Sequence, residues 1–219
     1  GGSRPRCRAS DPLNYGADAI YDIVDGKLVF RSYFKIPTPQ TVVENCVAHN
    51  GSVVPIPGRD VFIQAWYQGG ISIMDFTDPA RPVEIAHFDR GPISAERLYV
   101  GGSWSAYWLN GRIYSSEIAR GLDVLRLVPS EHLSAAEIAA AEAVSSETIN
   151  PQTQTRISWA DTPDVAQAYL DQLSRVGGIE AEHGLQDQRG AQARIDGGMR
   201  AGEHQRQAAI RDGVGLQSG

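Results

Sequence analysis

Residues 61–76 read VFIQAWYQGGISIMDF, and residues 112–127, about fifty positions later, read RIYSSEIARGLDVLRL. Gly70 in the first stretch matches Gly121 in the second, and both glycines are flanked by runs rich in Ile, Val, Leu and aromatic residues. Short runs of this composition on either side of a glycine turn predict two β-strands joined by a hairpin. The chain is therefore expected to repeat one β-sheet unit.

A third, partial copy of the unit lies upstream. Residues 19–25, AIYDIVD, match residues 72–78, SIMDFTD, so acidic residues recur at equivalent corners: Asp22, Asp25, Asp75 and Asp78. Carboxylates at such corners accept backbone N–H hydrogen bonds and fix turns, which is the interpretation we favour over repeated cation sites. The first copy has Asp25–Gly26 where the second has Asp–Pro, which predicts a tighter hairpin.

The period of the repeat indicates the architecture. About fifty residues leave room for four strands, the size of a β-propeller blade, with strands near 60–67, 70–76 and 83–88 in the complete copy. Of the 17 aromatic residues, 15 lie between Tyr15 and Tyr114. We therefore predict an all-β fold, a partial β-propeller of two to three four-stranded blades over residues 15–129. Because propellers close with about four to eight blades, we expect the C-terminal portion of a longer protein.

The remaining segments have a different character. Residues 1–14 are expected to be disordered, and residues 130–178 to form a helical appendage. The sequence Ser134-Ala135-Ala136-Glu137 is a capping box that predicts a helix to about Ala143. Thr162 and Pro163 predict the start of a second helix, with an apolar stripe through Val165, Tyr169, Leu173 and Val176 and a stop at Gly177-Gly178. Residues 179–219 have no aromatic side chain and are expected to be a disordered tail.

Composition excludes several classes of partner. The formal net charge of -6 argues against nucleic acid. No apolar run approaches the roughly 20 residues of a membrane span. Two cysteines allow at most one disulfide. The motifs of serine hydrolases, zinc proteases, P-loop and dinucleotide-binding proteins are missing, so no defined catalysis and no cofactor is predicted.

A dense group of aromatic residues is the first candidate binding site. Stacked at a blade face, these rings offer a platform for a sugar, a peptide or a planar ligand. The alternative is core packing between adjacent blades. Trp104, flanked by Ser103 and Ser105, is expected to be the most exposed. The candidate ligand-binding residues are Trp66, Tyr67, Trp104 and Trp108.

A metal site is the alternative hypothesis. His49, His87 and Glu117 supply nitrogen and oxygen donors suited to a divalent transition metal at one end of a central channel. Such a site would suit a metal-dependent hydrolase or oxidoreductase. Their spacing fits no local metal motif, and three isolated hydrogen-bonding residues explain the pattern equally.

The residues 70–83, GISIMDFTDPARPV, resemble the LVIVD repeat, whose units follow the pattern G-L-x-I-x-D-x-S-D-P-x-x-P. The flanking residues 49–70, 101–108 and 117–124 are similar to the C-terminal end of bacterial LVIVD-repeat proteins. The last copy departs from the pattern, with Arg126 where the repeat has Asp. The resemblance implies a secreted or cell-envelope β-propeller that acts as a binding module, although residues 1–6 contain no signal segment. Its expected partners are the remaining blades and a protein or carbohydrate ligand.

Overall fold

The computed structural model describes residues 4–153 and 155–178. The chain divides into two compact units at the bond between Ala160 and Asp161. Most of the described secondary structure is β-strand, in three antiparallel sheets with few short helices, which confirms the all-β class. The predicted tail, residues 179–219, lies outside the described residues.

Sheet 1 is a hairpin of β1 (Asp18–Val24) and β2 (Lys27–Phe34). The strands are joined by Asp25 and Gly26, which both have positive φ, 50° and 71°. Two left-handed residues in succession are the signature of a type I′ turn, whose twist matches that of the flanking strands. This explains why Asp–Gly replaces Asp–Pro in the first copy of the repeat.

Sheet 2 is a four-stranded meander that contains the complete repeat. Its strands, in spatial order, are β3 (Gly51–Val54), β4 (Val61–Ala65), β5 (Ile71–Asp75) and β6 (Val83–Phe88). The last three match the strands predicted near 60–67, 70–76 and 83–88. Gly70 opens β5 with a φ of 76°, a backbone conformation that side chains disfavour.

Sheet 3 repeats the first three strands of sheet 2. It contains β7 (Ser103–Leu109), β8 (Arg112–Glu117) and β9 (Gly121–Leu125). β7 and β8 are joined by Asn110 and Gly111, with φ of 48° and 80°, the same turn geometry as in sheet 1. Gly121 begins β9 with a φ of 101°, in the place that Gly70 has in sheet 2.

Both faces of sheet 2 are covered. One face, with Ile63, Ile71 and Ile73, packs in a core with Ala106, Trp108 and Ile113 of sheet 3. The other face contributes Met74 to a second core, which also contains Ile20 and Phe34 of sheet 1. The alternation of side chains along a strand places successive residues on opposite faces, so one sheet serves two cores.

The first helix belongs to the β-rich unit. α1 (Ala135–Glu142) carries the predicted capping box, with Ser134 and Glu137 bonded to each other's backbone N–H. Ile138 and Ala141 lie in the core between sheets 2 and 3. The helix is held further by Arg59, which binds Asp75 at 2.7 Å and Glu137 at 2.7 Å.

The second unit contains α2 (Pro163–Arg175). Thr162 is its N-cap, and its hydroxyl accepts a hydrogen bond from the N–H of Val165. Gly177, with a φ of 70°, follows the helix. The start and the stop of this helix are therefore as predicted. No helix among the described residues has the length and hydropathy needed to cross a bilayer.

The N-terminal segment differs from the expectation of disorder. From Arg4 onward it is anchored to the segment that precedes β3, by a disulfide between Cys7 and Cys46. Arg6 donates its N–H to the Cys46 carbonyl at 3.0 Å, and Cys46 donates to the Arg4 carbonyl at 3.1 Å. A covalent crosslink and backbone hydrogen bonds hold this segment in place.

Candidate ligand-binding site

Trp104 projects from an irregularity in strand β7. The pairing of β7 with β8 shifts between Ser103 and Ser105, so Trp104 is the extra residue of a β-bulge. Its side chain is 47% exposed, far more than that of any other described tryptophan in the sheets. Bulges re-aim a side chain and are frequent beside functional sites. The bulge therefore presents an indole ring at the surface.

Two further rings brace the indole. The ring centroid of His49 lies 4.4 Å from that of Trp104, and Tyr67 lies 5.7 Å from Trp104 at an interplanar angle of 89°. His49 and Tyr67 contact each other at 4.9 Å. These separations are those of favourable edge-on and tilted aromatic pairs. We call His49, Tyr67 and Trp104 the aromatic platform.

The platform joins sheet 2 to sheet 3. Single backbone bridges pair Asn50 with Ser105 and Tyr67 with Ser103, on either side of Trp104. The backbone carbonyl of Trp104 lies 2.6 Å from Nδ1 of His49. The bulge thus leaves the Trp104 carbonyl without a partner in the sheet, and this carbonyl forms a hydrogen bond with the imidazole of His49.

The backbone of His49 is held firmly. Its N–H donates to the Ala65 carbonyl at 2.9 Å, and its carbonyl accepts a hydrogen bond from the side-chain amide of Gln64, which is buried. Both partners lie on β4, a strand buried in sheet 2. A surface imidazole is therefore mounted on a rigid element, which favours a preorganised site.

Tyr67 occupies a strained turn between β4 and β5. Its φ is 54°, and its N–H and carbonyl both bond to Ser103, at 3.0 and 2.8 Å. Left-handed bulky residues are uncommon and are found most often at functional sites. The side chain is 3% exposed, and this burial raises the pKa of the phenol. Tyr67 consequently packs against Trp104 and leaves almost none of its own ring accessible to a ligand.

Glu117 positions the bulge through one carboxylate oxygen, whereas its Oε2 is buried without a hydrogen-bond partner among the described residues. Its Oε1 accepts the N–H of Gly102 at 2.7 Å, immediately before β7, and lies 3.5 Å from a guanidinium nitrogen of Arg120. The residue is 5% exposed. A buried carboxylate at this point satisfies a backbone donor that the turn would otherwise leave unpaired.

The proposed metal ligands are not gathered into a single site. His49 belongs to the platform, whereas His87 on β6 is 66% exposed at its side chain and faces Glu84 at 3.7 Å. Within residues 4–153 and 155–178, no group of three or more His, Cys, Asp or Glu side chains is placed to hold a metal ion. The metal hypothesis stays a prediction.

Two of the candidate tryptophans belong to the cores and offer no surface platform. Trp66 is completely buried between sheets 1 and 2, beside Phe34. Trp108 is 4% exposed, in the core between sheets 2 and 3. Their role is the core packing that the sequence offered as the alternative.

Trp108 also lines a cavity of about 350 Å³. Other apolar residues of its wall are Val53, Phe62 and Ile149. Asn110 exchanges two hydrogen bonds with Ser146 on its wall, and Ser145, Arg156 and Ser158 add further polar side chains to the lining.

Of the four acidic corner residues, Asp75 and Asp78 accept hydrogen bonds within turns and Asp25 lies in the turn between β1 and β2, whereas Asp22 lies inside β1 and fixes no turn. Asp75 accepts hydrogen bonds from the N–H and hydroxyl of Thr77, at 2.9 and 2.6 Å. Burial favours its neutral form, but the hydrogen bonds from Thr77 and Arg59 outweigh burial and lower the pKa of Asp75. Asp78 accepts the N–H of Ala80 at 3.0 Å. Asp22, on β1, pairs with Arg31 at 3.2 Å.

Sequence reasoning missed the partnership of His49 with Trp104. It placed His49 among the residues that could assist binding and, in the alternative, in a metal site, but it did not predict the direct contact with Trp104. The signal available was that His49 shortly precedes the first strand of its copy of the repeat and Trp104 lies near the start of the first strand of the next copy. Adjacent sheets bring such positions together.

No protein-family model matches the chain, and no curated protein or solved structure matches it at a significant level. Functional conclusions therefore depend on the geometry of the site itself.

Proposed function

We propose that this chain is a binding module of the bacterial cell envelope or exterior. It forms part of an LVIVD-type β-propeller and takes a ligand on the aromatic platform. The observation that carries the proposal is the exposed Trp104 ring, displaced from its sheet by a bulge and braced by His49 and Tyr67. A bulge and a strained tyrosine both carry an energetic cost, which a purely structural role does not require.

The propeller architecture is supported by the order of the strands. Sheet 3 repeats the first three strands of sheet 2 in the same order, and β1 matches β5 in sequence. Sheets that stack face to face at a fixed repeat are typical of radial arrays. In such an array further blades would cover the outer faces of sheets 1 and 3, where Ile23 is 78% and Leu122 is 65% exposed.

Placement outside the cytosol is supported by the disulfide. Cys7 and Cys46 are bonded, and disulfides persist in oxidising compartments and are rare in the cytosol. The two cysteines are the only ones in the chain. The proposal expects a protein purified without reductant to show no free thiol after unfolding.

The binding proposal is tested with a panel of three ligand classes: neutral oligosaccharides, proline-rich peptides and planar aromatic amides. Isothermal titration calorimetry follows each titration, because its signal does not depend on the indole that Trp104→Ala removes. We expect saturable binding of at least one class, and its loss in Trp104→Ala. Tyr114→Ala, which removes an exposed aromatic outside the platform, is the matched control and should bind normally. Binding that survives Trp104→Ala would refute the proposal.

A further inference from the structure

The hydrogen-bond partner of the His49 ring shows which of its two nitrogens carries the proton. Nδ1 lies 2.6 Å from the carbonyl oxygen of Trp104, and a carbonyl oxygen only accepts hydrogen bonds. Nδ1 must therefore carry the proton and donate it. In a neutral imidazole the other nitrogen, Nε2, then has a lone pair and acts as an acceptor.

This acceptor lies beside the exposed indole. The His49 and Trp104 ring centroids are 4.4 Å apart, and His49 is half-buried. Among the described residues, none forms a hydrogen bond or an ion pair with Nε2. A flat apolar surface and a fixed hydrogen-bond acceptor are thus adjacent, and a single small ring can contact both.

Two alternative ligand classes fit this surface less well. Extended peptides add to a free strand edge, but both edges of β7 are occupied at Trp104, by β8 on one side and by the bridges to Asn50 and Tyr67 on the other. Charged ligands require a counter-charge. Four charged side chains that share a pocket with Tyr67 pair with one another, Glu117 with Arg120 and Arg90 with Asp123, so they offer a ligand little net charge.

We propose that the ligand of the platform is a neutral saccharide, an inference that rests on the binding function proposed above. The apolar C–H face of a pyranose ring stacks on the indole of Trp104, which offers a large rigid area at low entropic cost. A hydroxyl at the edge of the sugar donates to Nε2 of His49. Stacking on Trp104 supplies the contact area, and the imidazole of His49 favours a ligand that has a hydrogen-bond donor at the edge of its ring.

The tautomer is tested first, without any ligand. Long-range ¹H–¹⁵N correlation spectra of the intact protein above pH 8 distinguish the two neutral forms of histidine. We expect His49 to show a protonated Nδ1 and an unprotonated Nε2. A protonated Nε2 would overturn the inference.

Binding is tested with four soluble probes, the tetrasaccharides of cellulose, chitin, starch and mannan. We expect at least one to bind saturably and Trp104→Ala to abolish its binding. His49→Asn keeps a donor near the Trp104 carbonyl and removes the acceptor at Nε2, so the affinity should fall roughly two- to tenfold, the effect of one neutral hydrogen bond. Tyr114→Ala is again the control, and thermal melting verifies that each variant is folded.

The outcomes separate the two proposals. If no saccharide binds but a peptide or planar amide binds in a Trp104-dependent way, the saccharide inference fails and the binding function stands. Saccharide binding that is unchanged in folded His49→Asn would overturn the role of Nε2. Saccharide binding that is unchanged in Trp104→Ala would overturn both proposals.

Discussion

Gly102 lies where the bulge of β7 meets the Tyr67 turn, and it has no room for a side chain. Its φ is 85°, and a Cβ atom would lie 2.0 Å from the carbonyl carbon of Tyr67. Gly102→Ala must displace this backbone, so we expect a loss of more than about 2 kcal/mol in the free energy of unfolding, measured in urea. The platform should be disrupted with it.

The matched control is Gly121→Ala. This glycine also has positive φ, 101°, but nothing lies within 4 Å of its added Cβ. The substitution should cost only the backbone strain, about 1–2 kcal/mol. Equal losses in the two variants would show that the contact with Tyr67 is not tight.

Asp18 gives the protein an unusual dependence on pH. Its Oδ2 is buried without a hydrogen-bond partner, and burial raises the pKa of the carboxyl to about 7. The folded state keeps a proton that the unfolded state releases above about pH 4. The stability contributed by this group is therefore complete below pH 4 and is lost as the pH rises towards 7.

Asp18→Asn should remove this loss. Thermal melts from pH 4 to pH 8 should show wild-type stability falling by up to a few kcal/mol relative to the variant, with the variant the more stable at pH 8. Parallel pH profiles for the two proteins would contradict the assignment of Asp18 as a buried, unpaired acid.

Sequence alone predicted the exposure of Trp104 but not its setting. Serine neighbours indicated a surface position, whereas the bulge depends on a register shift that no local residue signals. Trp66 and Tyr67 illustrate the limit, since they are adjacent and similar in chemistry. The left-handed backbone at Tyr67 turns one ring into a core and the other towards His49.

At the scale of elements, Arg59 connects a turn of sheet 2 to α1. It is mostly buried, and it binds both Asp75 and the completely buried Glu137. Arg59→Ala leaves the Glu137 carboxylate buried without its guanidinium, so we expect a loss of about 3–5 kcal/mol. Chemical unfolding followed by circular dichroism measures it.

Arg112→Ala is the control for this prediction. Arg112 reaches the same helix, 3.7 Å from Glu142, but both side chains are exposed by more than two fifths. An exposed pair contributes at most about 1 kcal/mol. If the two arginines proved equivalent, α1 would not depend on the buried ion pair.

Helix starts and strand positions were predictable because their signals are local. A capping box or a glycine turn acts within a few residues, and both helices and the strands of the repeat confirm this. The packing of α1 against the sheets depends on Arg59, which lies far from the helix in sequence. For the same reason, the order of the N-terminal segment escaped prediction, since it depends on the bond between Cys7 and Cys46.

At the scale of the molecule, sheet 1 leaves an apolar outer face exposed. The cross-strand pairs Tyr21–Phe30 and Ile23–Leu28 form it, and Ile23 is 78% and Leu28 is 69% exposed. Uncovered apolar sheet faces promote association. We expect the isolated chain to self-associate at micromolar concentrations in analytical ultracentrifugation.

Ile23→Lys should shift the protein towards the monomer. Val42→Lys, at an exposed valine outside the strands, is the control and should leave association unchanged. A monodisperse wild-type monomer would contradict the prediction. The all-β class followed from composition and periodicity alone, but closure into a ring depends on what covers such faces and stays a prediction.

The Cys7–Cys46 bond has a consequence for motion. A two-stranded hairpin is marginal by itself, so sheet 1 is the part of the β-rich unit expected to open first. Because Cys7 precedes β1 and Cys46 precedes β3, an opened hairpin remains tethered to sheet 2 at both of its ends. The local concentration of the hairpin near the face of sheet 2 on which it packs stays high, so the hairpin packs back quickly. Reduction would cut one tether, so amide hydrogen exchange in β1 and β2 would accelerate more than in β4 and β5.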